Sequence, residues 1–287
     1  MPTQLLNREE YIEQVYFFRV YRERLEDDVP SQEILATVSD EILATTKLTM
    51  AIDFLKDEIL LKGRIHEGMA QLPHYFTPFQ TFVMERAEAD KSRFDQRTAL
   101  QVLERQAEFL SNSPNAAGQF VYQFECIARN RLGYDAGMTA MAGDPFFDEN
   151  WKDWILKLRL KLGTAEFADF LYFRSEHFTN ERRRQHGQED FEPAEPALFG
   201  EQEGRIAKAN RGKDPLFMFA ALQRQLGYPE IPRPKRKSPE QIFHPALEAR
   251  LQRLEKRLQF LEAENKGGID LSQFYTEPPK FIDGESP

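Results

Sequence analysis

Leu156-Lys157-Leu158-Arg159-Leu160-Lys161-Leu162 alternates apolar and basic residues strictly, which is the period of a half-buried strand. Three observations read it as helix instead. Leucine, lysine and arginine are good helix formers. A strand needs a partner, and no other stretch of the chain offers a convincing one. Trp151, Trp154, Ile155 and Leu158 also fall together on one helix face. With this run helical, nothing in the chain calls for a sheet, and the expected fold class is all-α.

Working outward, helix starts are legible as a capping residue followed by proline, which suits the first helical position. The pair occurs at Thr77-Pro78, Ser113-Pro114, Asp144-Pro145, Asp214-Pro215 and Ser238-Pro239. Thr77 with Gln80 and Ser238 with Gln241 extend it into capping boxes, and Asn7 with Glu10 reads similarly. Leu132-Gly133-Tyr134 and Leu226-Gly227-Tyr228 place glycine where a helix stops, with Lys62-Gly63 and Leu162-Gly163 as weaker versions. These signals predict helices over 7–27, 31–62, 77–92, 95–111, 114–132, 145–162, 164–184, 214–226 and 239–265.

The resulting organisation is a helical bundle body at 1–186, an acidic flexible linker at 187–213, a short helix at 214–228, a proline-rich basic linker at 229–238, a coiled-coil helix at 239–265 and an irregular tail at 266–287. The acidic linker is read from three glycines and two prolines between Gly187 and Gly204 and, between Glu189 and Glu203, six acids and no base. Pro229, Pro232 and Pro234 mark the second linker.

Near the C-terminus, Leu247, Leu251, Leu254, Leu258 and Leu261 alternate steps of four and three, which is a coiled-coil seam. With Leu247, Leu254 and Leu261 at d and Leu251 and Leu258 at a, the g positions include Arg250 and Arg257 and the e positions Glu255 and Glu262. A parallel pair sets Arg250 against Glu255 and Arg257 against Glu262, whereas an antiparallel pair opposes like charges. Each exposed pair is worth only about 0.2–1 kcal/mol, so the charges bias orientation and do not drive assembly. Asn265 at the next a position either fixes register or ends the helix beside Gly267. The seam spans under three heptads, so the alternative is an amphipathic helix packed on the chain's own core. Leucine at both a and d leaves the oligomer number open.

The chain has 287 residues, of which 41% are hydrophobic and 30% charged, ordinary for a globular protein. Its net charge of −9 sets the whole-protein field against nucleic acid. Two basic clusters, Arg182-Arg183-Arg184 and Arg233 with Lys235, Arg236 and Lys237, lack the interleaved aromatics of a base-stacking surface and read as solvated charge. The single Cys126 cannot form an intramolecular disulfide. Met1 to Glu10 carries no apolar signal core, and no run approaches about 18 apolar residues, so no membrane span is expected. The expected location is the cytoplasm.

Searches for chemistry return little. No HExxH and no Glu-x-x-His pattern includes His66, His74, His177, His186 or His244, and His66 and His74 with Glu67 read as surface or satisfied histidines and not as ligands, so no metal or other cofactor is expected. Cys126 has the apolar neighbours of a buried helix. No nucleophile elbow and no phosphate-binding glycine loop occurs, and Arg211-Gly212-Lys213 ahead of Pro215 reads as a polar turn. No residue is assigned as catalytic. The aromatic supply, including Tyr16-Phe17-Phe18, Phe76, Phe79, Phe82 and Tyr172-Phe173, reads as core, with an apolar ligand pocket as the alternative. The expectation is a non-enzymatic, self-associating interaction or scaffold protein, a parallel homodimer through the heptad that can recruit another protein. The alternative is a helical-bundle enzyme or apolar-ligand binder whose site is built from scattered residues.

Overall fold

The computed structural model describes residues 6–89, 94–186 and 193–233, together with Leu254 and Leu258. Among the described residues there are thirteen α-helices and no strand. The chain divides into two units, Met1–Pro234 and Lys235–Pro287, and the helices below belong to the first.

Helix α1 (Arg8–Glu26) starts where Asn7 accepts a hydrogen bond from Glu10 N (3.1 Å). Its buried stripe of Glu10, Gln14, Phe17, Phe18 and Tyr21 has helical spacing. It lies antiparallel to α6 (Gln96–Ser111). Arg8 Nε donates to Ser111 O (3.2 Å) at one end and Arg97 Nη2 to Leu25 O (2.8 Å) at the other. Between these helices and α5 (Pro78–Glu88) the core is partly polar. Gln80 Nε2 donates to Gln14 Oε1 (3.2 Å), and the buried Glu10 carboxylate accepts from Tyr75 OH (3.0 Å) and Lys47 N (2.8 Å). The capping box expected at Thr77 and Gln80 is present.

The predicted helix over 31–62 is two helices, α2 (Ser31–Val38) and α3 (Leu48–Lys62). Between them, backbone N–H groups turn to acids of α1: Leu43 N donates to Glu13 (3.1 Å) and Lys47 N to Glu10. Thr46 Oγ1 donates to Leu43 O (2.8 Å), a local bond that competes with the helical ladder. Helix α4 (Ile65–Gln71) follows Gly63, whose φ of 72° stops α3 as expected.

Helix α7 (Ala116–Asn130) starts at Asn115, not Ser113-Pro114, and stops at Arg131 in the left-handed region. Gly133 therefore opens a further helix, α8 (Tyr134–Ala142), where only a stop was expected. The two approach closely at Gly137, where a Cβ would sit 2.6 Å from Ile127 Cδ1. Helix α9 (Glu149–Lys161) contains the alternating run. Trp151, Trp154, Ile155 and Leu158 are buried while Leu156 (39% exposed) and Leu160 (76%) face solvent, so the helical reading holds. Its cap is Asp148 (from Trp151 N, 3.0 Å), not Asp144. Asp144 is buried and accepts from Phe146 N (3.0 Å) and Gln123 Nε2 (2.7 Å), ending a turn.

The predicted helix over 164–184 breaks at Arg174 into α10 (Phe167–Phe173) and α11 (Glu176–His186). The break is paired from a distance. Leu198 N and Phe199 N donate to Arg174 O (2.8 and 3.1 Å), and Glu176 N donates to Phe199 O (2.9 Å). The acidic linker expected over 187–213 is thus corrected in its described part. Phe199 is buried (2% exposed) among Phe120, Trp151 and Trp154, with ring centroids 5.2–6.0 Å away. Directly after it comes α12 (Glu201–Ala209). A Cβ on Gly204 would lie 2.2 Å from Ser175 Oγ, so α12 seats against the α10–α11 break only because that position is glycine. Helix α13 (Pro215–Leu226) starts at Asp214 and stops at Gly227 as expected, and packs on α7, α10 and α12. The basic linker expected at 229–238 is likewise packed where described: Ile231 and Pro232 are buried, and Pro232 O accepts from Asn130 Nδ2 (3.1 Å).

Candidate functional site

A cleft of about 530 Å³ opens between α7, the 162–167 turn and the start of α13. Its wall is aromatic. Phe124 and Phe167 stack in parallel (centroids 4.0 Å, planes 1° apart), Phe219 stands 5.7 Å from Phe167, and Tyr134 stands 5.7 Å from Phe124. Each ring comes from a different helix, so the wall exists only in the assembled bundle. Ala128 and Ala165 leave the space open. Tyr134 and Leu216, each 46% exposed, form an apolar rim.

Below the wall lies a buried ionic group. Arg129 lines the cleft, and its Nε donates to Glu125 Oε1 one turn earlier on α7. Tyr228 OH donates to the other Glu125 oxygen (2.7 Å). Burial, and then the Glu125 charge, push the Tyr228 phenol well above its ordinary range, so it stays protonated and serves as a donor. The arrangement supplies an apolar chamber with one oriented guanidinium. No protein family, curated protein or solved structure matches this chain.

Polar clusters elsewhere tie helices together. His66 Nδ1 lies 2.5 Å from Glu88 Oε2, and the Glu88 carboxylate also accepts from Ile65 N (2.8 Å) and His66 N (3.0 Å), so it caps α4 from α5. His177 Nδ1 lies 2.9 Å from Glu201 Oε1, and Asn180 donates to the same carboxylate (2.9 Å), joining α11 to α12. Those bonds, His177 first, hold the Glu201 carboxyl down at about 2. Among the described residues no group of three His, Cys, Asp or Glu is placed to hold a metal ion, and no helix is long and apolar enough to cross a membrane.

Burial pushes the Cys126 thiol up to about 12, which suits a small core residue and not a nucleophile. Gly212 N donates to Glu166 Oε2 (2.7 Å), and Leu216 N, at the start of α13, donates to Asp214 (2.9 Å). The 211–213 stretch is a turn, as its reading predicts. Of the aromatics singled out in the sequence, Phe17, Phe18, Phe76, Phe79 and Phe82 are core, and Tyr172 lies under the Arg211 guanidinium (4.1 Å).

Of the heptad residues, Leu247, Leu251, Leu261, Arg250, Glu255, Arg257 and Glu262 lie outside the described residues. Leu254 and Leu258 are helical and 52% and 57% exposed. The cleft residues escaped the sequence reading because Phe124, Phe167 and Phe219 carry no shared spacing. The one available signal was the shared Leu-Gly-Tyr ending at 132–134 and 226–228, which follows α7 and α13, the helices that carry Phe124 and Phe219.

Proposed function

We propose that this chain is a non-enzymatic, self-associating helical interaction protein of the cytoplasm, forming a parallel coiled-coil homodimer through its C-terminal leucine heptad. The observation that carries the reading is the seam itself: five leucines at heptad spacing flanked by self-complementary charges, with Leu254 and Leu258 helical and more than half exposed. Large apolar side chains left in solvent in a row are what a partner helix covers. The test is light-scattering mass of the full chain against Leu254→Glu/Leu258→Glu. The expected result is twice the 33.6 kDa chain mass for the former and the chain mass for the latter. A monomer in both, or a dimer in both, removes the reading.

A second reading, an apolar-ligand binder, is favoured by the aromatic cleft. Its volume falls in the range of about 300–1,000 Å³ typical of small-molecule sites, and its wall is drawn from α7, α8, α10 and α13.

A further inference from the structure

We infer that the cleft binds an amphiphile with an apolar body and a single anionic head, such as a medium-chain carboxylate, with the body against the aromatic wall and the head at Arg129. The inference rests on the apolar-ligand reading and is independent of the heptad.

The body is set by the wall. Phe124, Phe167, Phe219, Leu162, Ala128 and Ala165 offer no side-chain hydrogen bond, so a polar body would lose its hydration without compensation. The head is set by charge. Arg129 is the one cation among the lining residues, and among the described residues only the Nε edge of its guanidinium is engaged, by Glu125. Glu125 is itself fixed by Tyr228, so the remaining Nη edge is presented by a pre-oriented group and suits the planar fork of a carboxylate.

The mouth adds to this. Lys161 directly precedes the lining residue Leu162, Lys213 precedes the lining residue Asp214, and Arg131 follows Arg129 by two. All three are exposed, and none makes an ion pair among the described residues. Of the acids there, Asp214, itself a lining residue, caps α13 through Leu216 N, Glu166 accepts from Gly212 N (2.7 Å), and Asp135 lies 3.6 Å from Arg159 Nε. With Glu125 paired to Arg129 and Asp135 to Arg159, these three cations stand against the two carboxylates of Asp214 and Glu166, a small positive balance at this mouth on a chain of net charge −9.

The experiment titrates the full chain calorimetrically with dodecanoate below its micellar concentration. Dodecanol and dodecyltrimethylammonium serve as probes of the same chain length. Expected is one dodecanoate per chain, bound at least about ten-fold more tightly than the cationic probe, with the preference shrinking as salt rises. Ala165→Trp fills the cleft from an exposed loop position and abolishes binding with an unchanged circular dichroism spectrum. Leu216→Glu, also at an exposed position, does the same by putting a carboxylate at the rim. Lys161→Glu/Lys213→Glu weakens dodecanoate about ten-fold and leaves dodecanol unchanged. The same titration on Leu254→Glu/Leu258→Glu gives the same affinity, which separates this inference from self-association. Equal affinity for the three probes, several weak sites, no binding at all, or binding that survives Ala165→Trp in folded protein overturns it.

Discussion

Helices α5 and α6 begin where their own residues say, at Thr77 and Asp95, each cap accepting from the backbone three residues on. Helices α11 and α12 follow a different rule. The break that separates α10 from α11 is paired by Leu198 and Phe199, more than twenty residues downstream, and α12 is seated by a glycine contact and by the Glu201 bonds to His177 and Asn180. Both regions are equally helical. The first is specified within one turn of chain, the second by partners far away in sequence, and only the first kind of specification can be read without the fold.

The contrast can be broken at its strongest point by Phe199→Ala. Removing a buried aromatic from a packed cage costs about 3–5 kcal/mol, and here it also frees the segment that pairs the α10–α11 break. The expected outcome in urea unfolding monitored by circular dichroism is a large drop in midpoint, with protease nicking appearing first near residues 193–200. A drop no larger than that of an exposed alanine substitution would show that the aromatic cage is not what seats α12.

Thr77→Ala probes the other side. Losing a capping side chain costs about 1 kcal/mol, range 0.5–2, and the effect stays local because Gln80 remains bonded to Gln14. The midpoint shift should be a third or less of that for Phe199→Ala. Equal shifts would mean that α5 is specified no more locally than α12.

The smallest effect is one of pH. Glu201 titrates at about 2 in the folded chain, below the ordinary glutamate value of about 4.3. Its contribution is fully present above the unfolded value and is lost as pH falls through the folded one, because the unfolded chain then binds the extra proton. Glu201→Gln should therefore flatten the acid limb of the stability curve between about pH 4.3 and 2. An acid limb identical to that of the native sequence would show that the His177–Glu201 contact carries no linkage.

These particulars explain what the sequence could convey. The run at 156–162 was readable because composition, missing partners and the tryptophan face agreed, and period alone misled. The helices at 8–26, 78–88, 96–111 and 215–226 were readable from caps and stops. The break at 39–47 was not, since it depends on Glu10 and Glu13 of another helix accepting its backbone N–H groups. Helix α12 was masked by the acidic composition of the stretch leading into it, which says nothing of the buried Phe199 or of Glu203, an acid that is itself buried in the helix. The cleft was illegible for a further reason. Its wall is assembled from four helices, so no window of the chain contains it.

Cys126 closes on a practical property. As the sole thiol, sealed in α7 beside the cleft wall and weakly reactive while folded, it is labelled by an alkylating reagent only when that core opens. The rate of its modification is thus a clock for opening of the bundle centre, carried by the unmodified protein. A ligand that fills the neighbouring cleft would slow that clock by mass action.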